Sequence, residues 1–377
     1  MTDPETDDSA AVGQARRGTR RDVLAGGLAL AAAPALGHAA SFDQIPLKDI
    51  AAKSGRRFGS TVGKDALSDP GYASLLTREC GLLVSEDFMT WGQLNPAPGK
   101  FDFTRADTLL KFSQQHGLPM RGHALVFDKW LPKDLESWSG GSPTDFMIKY
   151  VDTVVRHYGE RIQSWDVVNE AVTPPQGRPD GLRNNPFLKQ AGPEYLVMAF
   201  QAAHAAAPHA DLVYNDWVDG YDNRFWEARR TGILKLLEFL KSKGAPITAV
   251  GLESHLSAGF PGFSTQIWGQ FCSEIRNLGL TVHLTELSVA DNLLPADVAT
   301  RDAQVAFTAQ RYLNTTFEHA HVGDIIAWDL SDKYSSLPRY SPRKDGVAPR
   351  GAPYDAQYRP KLLRQIIAQT LTQAPKL

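Results

Sequence analysis

The chain has 377 residues, 42% of them hydrophobic and 22% charged, with a mean hydropathy of −0.29; these values exclude a disordered, collagenous or multi-span membrane protein and leave ample material for a large core. Forty basic side chains face forty-two acidic ones, a net charge of −2, so no global positive field exists to gather nucleic acid or to hold an anionic membrane surface. Aromatic residues make up 10% of the chain, with eight Trp and eleven Tyr, a supply suited to stacking on flat ligands such as sugar rings.

Residues 1–22 are polar and carry the pairs Arg16-Arg17 and Arg20-Arg21, and residues 23–36 then run without a charge. That apolar run falls short of the roughly 20 residues needed to cross a bilayer. With the small residues at 37–40 it reads as a secretory signal of the twin-arginine type, cleaved near Ala39 or Ala40. The chain is therefore expected to be exported to the periplasm or beyond, leaving residues 41–377 as one mature domain with no tie to the membrane. Cys80 and Cys272 read as two buried thiols. No Cys or His spacing resembles a zinc or iron–sulfur site, and neither a metal nor a cofactor is expected. A monomer is expected.

From residue 57 onward short apolar or β-branched runs alternate with longer amphipathic stretches. Strands are predicted at 58–62, 82–88, 120–127, 162–170, 211–216, 247–255, 281–287 and 325–331; helices between them include 145–158, 194–206, 225–243, 265–278 and 299–320. Eight β-then-α units without a break in composition predict an α/β fold, a single (β/α)8 TIM barrel. Polar residues then cluster at the carboxyl ends of the strands: Glu86-Asp87, His123, Asn169-Glu170, Asn215-Asp216, Glu253 with His255, Glu286 and Asp329. Barrel enzymes assemble their chemistry at that face. Solvated strand ends account for one or two such carboxylates, but not for the whole series.

Glu170 ends the predicted fourth strand and Glu286 the seventh, so the barrel brings them to one mouth. Hydrolysis of a glycosidic bond with retention needs such a pair, one carboxyl protonating the leaving oxygen while the other attacks the anomeric carbon. The amide of Asn169 stands next to Glu170 and suits a sugar hydroxyl. On this reading the acid has a raised pKa, through burial and a neighbouring anion, and the nucleophile a lowered one, through hydrogen-bond donors.

The segments Arg121-Gly122-His123-Ala124-Leu125-Val126, Trp165 to Glu170, Tyr214-Asn215-Asp216, Gly251 to His255, His283 to Glu286, and Trp328 with Ser331 to Ser335 together resemble glycoside hydrolase family 10, the β-1,4-xylanase family, from about residue 57 to 365. The resemblance implies a retaining, endo-acting hydrolase of a β-1,4-linked polysaccharide, xylan in the first instance. It implies Glu170 as general acid/base, Glu286 as nucleophile, His255 as the support of that nucleophile, and Asn169 and His123 as ligands of the reacting sugar. Trp328 and Tyr334 match cleft positions that stack on sugars. Trp91, Trp138, Trp226 and Trp268 read as packing residues, and Arg56-Arg57 and Arg343-Lys344 as surface charges.

The sequence also departs from that family pattern. Glu86-Asp87 followed by Thr90 replaces Glu-Asn and a later Lys, Phe127-Asp128-Lys129-Trp130 replaces Trp-His-Ser-Gln, Ser336 stands for a second Trp, and Glu253 for a Gln. Glu86 and Asp87 remain candidate sugar ligands. Glu253 joins His255 beside the nucleophile and is either held protonated, still able to donate a hydrogen bond, or paired with a cation. The changes leave open a glucose-containing or acidic β-1,4 glycan or exopolysaccharide, with Lys129 or Arg343 answering an acidic group. A catalytically silent glycan-binding protein that keeps the cleft is the remaining alternative.

Overall fold

A computed structural model describes residues 44–63 and 66–377. The signal segment expected at residues 1–40 lies outside the described residues. The described residues form nine strands: β1 (Phe58–Val62), β2 (Leu82–Ser85), β3 (Met120–Gly122), β4 (Ile162–Asn169), β5 (Asp211–Asp216), β6 (Ala249–Leu252), β7 (His255–Ser257), β8 (Thr281–Ala290) and β9 (Val322–Ala327). β1 through β6 pair in sequence order, β1 pairs β9, β9 pairs β8, and β6 pairs β8, all parallel. The sheet thus closes into the predicted eight-stranded (β/α)8 barrel. β7 is extra: it pairs only with the distal half of β8, His255 opposite Ser288.

The predicted strands and helices are present with shifted ends. The run 247–255 is not continuous, because Ser254 adopts φ 61°, a left-handed conformation that costs a non-glycine residue about 1–2 kcal/mol and breaks the extended chain between β6 and β7. β2 and β3 stop earlier than predicted, at Ser85 and Gly122, and β9 begins earlier, at Val322. Helices Pro143–Tyr158, Glu194–Ala206, Arg224–Ser242, Thr265–Asn277 and Val298–His319 lie within two residues of their predicted bounds. Polar N-caps explain where four of them start: Ser142, Asn223, Ser264 and Asp297 each accept a backbone N–H of the first turn.

Inside the barrel the filling is partly polar. Arg121, fully buried, binds both oxygens of Asp166 and donates to Ser164 Oγ at 2.7 Å. In the same region His283 Nε2 lies 2.7 Å from Asp211, and its Nδ1 accepts the Asp324 N–H at 3.0 Å. Trp91, Trp138, Trp226 and Trp268 are buried, as their packing role requires. Cys80 and Cys272 are buried free thiols. Two surface assignments fail. Arg56 is buried, with Nε donating to Val322 O at 2.8 Å, and the Arg343 guanidinium is only 3% exposed, spent on the carbonyls of Asp291 and Leu294 and on Asp345. Long cationic side chains cap carbonyls where loops close over the barrel ends, which composition does not reveal. Among the described residues no helix is long and apolar enough to cross a membrane.

Gly122, the last residue of β3, lies opposite Trp165 of β4. A Cβ there would sit 2.1 Å from the Trp165 ring, and Trp165 is itself fully buried. Gly122→Ala is therefore expected to destabilise the fold by about 1–3 kcal/mol through overpacking, read as a lower urea midpoint with an unchanged slope.

Candidate active site

β5 carries the organising group. Side chains alternate across a strand, so Asn215 and Asp216 part company. Asp216 meets Arg229 of the helix Arg224–Ser242, whereas Asn215 points to the mouth. Asn215 Nδ2 approaches Asn169 Oδ1 at 2.8 Å, Glu286 Oε1 at 2.9 Å and Glu253 Oε1 at 3.3 Å. Its Oδ1 accepts from Thr285 Oγ1 at 2.6 Å, which fixes the flip of the amide. The neighbouring residue on β6 has to be glycine, because a Cβ on Gly251 would stand 2.0 Å from Asn215 Oδ1.

Glu286, near the middle of β8, is buried. Besides the bond from Asn215, its Oε2 lies 3.1 Å from His255 Nε2, while His255 Nδ1 lies 2.8 Å from Ser288 Oγ. The bend at Ser254 sets His255 in this position. His123 Nδ1 stands 3.0 Å from Asp166 and 4.0 Å from Glu286 Oε1. Burial disfavours a charged His123 ring, yet Asp166 and Glu286 outweigh it and raise its pKa. Trp328 presents its ring edge-to-face to both histidines, with centroids 5.6 Å from His123 and 5.9 Å from His255.

Glu170 follows β4 directly and has φ 49°; its N–H donates to Asn215 O at 2.9 Å. Its Oε2 accepts from Lys129 Nζ and from Arg183, each at 3.0 Å. Burial works against an ionised Glu170, but Lys129, Arg183 and then Arg229 outweigh it and hold the carboxyl below the usual carboxylate range. This corrects the expectation of a raised acid. The raised member of the cluster is Glu253: burial first, then Glu286, Glu170 and Asp216, push its carboxyl well above the ordinary range. Of the two alternatives for Glu253, the protonated form is the one its surroundings favour. Because Glu253 feels both Glu170 and Glu286, all three carboxyls share one electrostatic neighbourhood.

Glu86 lies on the other flank, where burial, then Asp329 and Asp87, push its carboxyl up to about 7; Glu286 contributes to that shift as well. Asp329 Oδ2 accepts the N–H and Oγ of Ser336, both at 2.9 Å, so the serine at the position of a second Trp closes a turn onto Asp329. Asp87 turns towards Arg105, 3.9 Å away. Tyr334 is not brought to the two glutamates. Its hydroxyl donates to Asp69 at 3.0 Å and its ring packs on Tyr72 at 4.6 Å, which occupies a group expected to stack on sugar.

A family model described as "Glycosyl hydrolase family 10" matches residues 46–370. The chain belongs to this family. An endo-1,4-beta-xylanase 1 of Humicola insolens is 32% identical over 323 residues, 82% of this chain and 69% of its own length. Endo-1,4-beta-xylanase A of a Caldicellulosiruptor species is also 32% identical, over 74% of this chain but 42% of its own length. The crystal structure of xylanase 10B from Thermotoga maritima superposes with a TM-score of 0.76 at 25% identity, covering 87% of this chain and 98% of that one.

Within this family 10 glycosidase, sequence reasoning singled out the carboxylates but missed what sets their charges. Asp166, Arg183 and Ser288 had no role assigned, and Asn215 was noted only as a polar strand end. Lys129 was read as a substrate group, whereas the structure gives it to Glu170. The one available signal was the alternation along β5, which places Asn215 on the same face as a residue of the mouth.

Removing the Lys129 cation favours the neutral form of Glu170. Lys129→Met is expected to move the basic limb of the kcat/KM profile to higher pH, because Glu170 then keeps its proton further up the scale. A pH series on a soluble substrate measures this.

Proposed function

We propose that the protein is an endo-acting β-1,4-xylanase that hydrolyses with retention, Glu286 serving as nucleophile and Glu170 as general acid/base. The observation that carries the reading is the asymmetric setting of the two glutamates around Asn215. Glu286 is clamped from two sides by Asn215 and His255, as an anion that must attack along one line requires. Glu170 is the more open of the two, its side chain 17% exposed against 6% for Glu286, as a group that must meet both the leaving oxygen and a water requires. Asn169 and His123 flank them and suit the hydroxyls of the reacting sugar.

The resting charges fit the two half-reactions in sequence. Entry of the glycan displaces Lys129, whose side chain is 41% exposed, and loss of that cation lets Glu170 take up the proton it delivers to the leaving oxygen. Once Glu286 is esterified its negative charge is gone, and when the leaving sugar has departed Lys129 returns and with Arg183 favours the carboxylate of Glu170 that draws a proton from the incoming water. Lys129 and Arg343 are both engaged within the protein, which weakens the case for an acid-decorated glycan. A second structural relative, the xylanase 10B of Thermotoga petrophila RKU-1, carries xylobiose in its crystal structure, with a TM-score of 0.76 at 25% identity, in keeping with the xylan reading.

Glu286→Ala is expected to abolish release of reducing ends from soluble xylan, and Glu170→Ala to lower it by roughly 10²–10⁴-fold, with wild type giving the β-anomer first by NMR. Equal activity in Glu286→Ala and wild type, or cleavage of β-1,4-glucan alone in a substrate panel, would overturn the proposal. We also infer that residues 1–40 direct export by the twin-arginine route and that residues 41–377 act as a monomer. Replacing Arg20 and Arg21 by Lys is expected to retain the protein in the cytoplasm, scored by fractionation.

A further inference from the structure

Glu253, His255 and Glu286 bring three potential metal-ligating side chains together at the barrel mouth. One ligand atom from each, a carboxylate oxygen, an imidazole nitrogen and a second carboxylate oxygen, lie within 4.8 Å of one another. His255 Nε2 stands 3.1 Å from Glu286 Oε2 and 3.8 Å from Glu253 Oε2. Ligands bound to zinc at about 2.0–2.2 Å in a tetrahedral array are themselves separated by about 3.3–3.6 Å, and the two measured distances, 3.1 and 3.8 Å, bracket that range.

The groups behind these atoms are already fixed. Asn215 Nδ2 holds Oε1 of both glutamates, which leaves each Oε2 as the converging atom. Ser288 Oγ meets His255 Nδ1 at 2.8 Å and can accept its proton when Nε2 gives up its bond to Glu286 and ligates, the outer contact that ligating histidines ordinarily keep. A divalent ion displaces the proton that the surroundings of Glu253 favour, and two carboxylates with a neutral imidazole then bring it a charge of −2. Such a donor set suits zinc and its neighbours rather than calcium or magnesium, which take oxygen ligands. The side chains of Glu253 and Glu286 are 5% and 6% exposed while that of His255 is 34% exposed, so the imidazole edge opens to the mouth through which an ion arrives.

We propose that Glu253, His255 and Glu286 form a reversible binding site for one divalent transition-metal ion of the zinc class, and that the bound ion occupies the nucleophilic oxygen and switches hydrolysis off. Only the second half rests on the role given to Glu286; the binding itself does not. The fourth position of the ion faces the cleft, and water or a small anion fills it. Metal and glycan compete for the same oxygen, so the ion acts as a competitive inhibitor.

Chelator-treated full-length protein is titrated with Zn²⁺ by calorimetry and with Co²⁺ by visible absorption. One ion per chain is expected, with the intense d–d bands of a tetrahedral or five-coordinate cobalt site. Glu253→Gln and His255→Asn are each expected to weaken binding by more than tenfold, and Ser288→Ala, which removes no ligand, by a smaller factor; circular dichroism verifies that each variant is folded. Zn²⁺ is expected to raise KM for xylan with kcat unchanged, fully reversed by EDTA. Absence of saturable binding, binding that survives both ligand substitutions, or inhibition that lowers kcat alone would overturn the proposal. Inactivity of the metal-free enzyme on every glycan would instead strike the xylanase reading and leave the cobalt spectrum to decide the site.

Discussion

Three carboxylates, Glu170, Glu253 and Glu286, are confined to one barrel mouth, and the rest of the site is arranged around the cost of holding like charges together in a partly dry place. The amide of Asn215 has two hydrogens and three acceptors within 3.3 Å, so it ties the Glu286 and Glu253 carboxyls to the neighbour of Glu170. The charges are then separated in space. Lys129 and Arg183 neutralise Glu170 from the loop side, His255 stands against Glu286, and Glu253, which has the His255 ring at 3.8 Å but no Lys or Arg within 4 Å among the described residues, is the carboxyl driven towards its neutral form.

That arrangement needs a rigid frame, and the barrel interior supplies one. Arg121 and Asp166 form a buried pair that presents Asp166 to His123. Pairs of this kind contribute little net stability, because desolvation offsets their attraction, but removing one partner leaves a buried charge. Their effect here is directional: the pair holds an imidazole at 4.0 Å from the Glu286 carboxyl. Two left-handed residues complete the frame. Glu170 and Ser254 each depart from the extended chain just beyond a strand, and strain of this kind is concentrated where geometry matters more than stability.

The same frame suits the two-way proton transfer proposed for Glu170. Proton donation and proton removal by Glu170 make opposite demands, and a permanently raised pKa would serve only the first. In the proposed reaction the cation of Lys129, on a side chain 41% exposed, can be displaced by an occupant of the cleft, while Arg183, almost fully buried and also bound to the Glu170 carbonyl, keeps the carboxyl in place.

Sequence alone determined the barrel, its strand and helix order, and the two glutamates, because each is written locally: apolar periodicity within ten or twenty residues, and polar residues at the ends of successive strands. It also located Glu253 and His255 beside Glu286. What it could not determine is where protons and cations reside. The assignment of a raised pKa to Glu170 failed because Lys129 and Arg183 come from the loops after β3 and β4 and meet only in the folded chain; the surface assignment of Arg343 failed because the carbonyls that bind it lie some fifty residues away. Tyr334 was placed on the sugar by its position in a motif and is held instead by Asp69, a helix cap far back in the sequence. Electrostatic fields sum over neighbours in space, and periodicity along a chain carries no information about them until the barrel has closed.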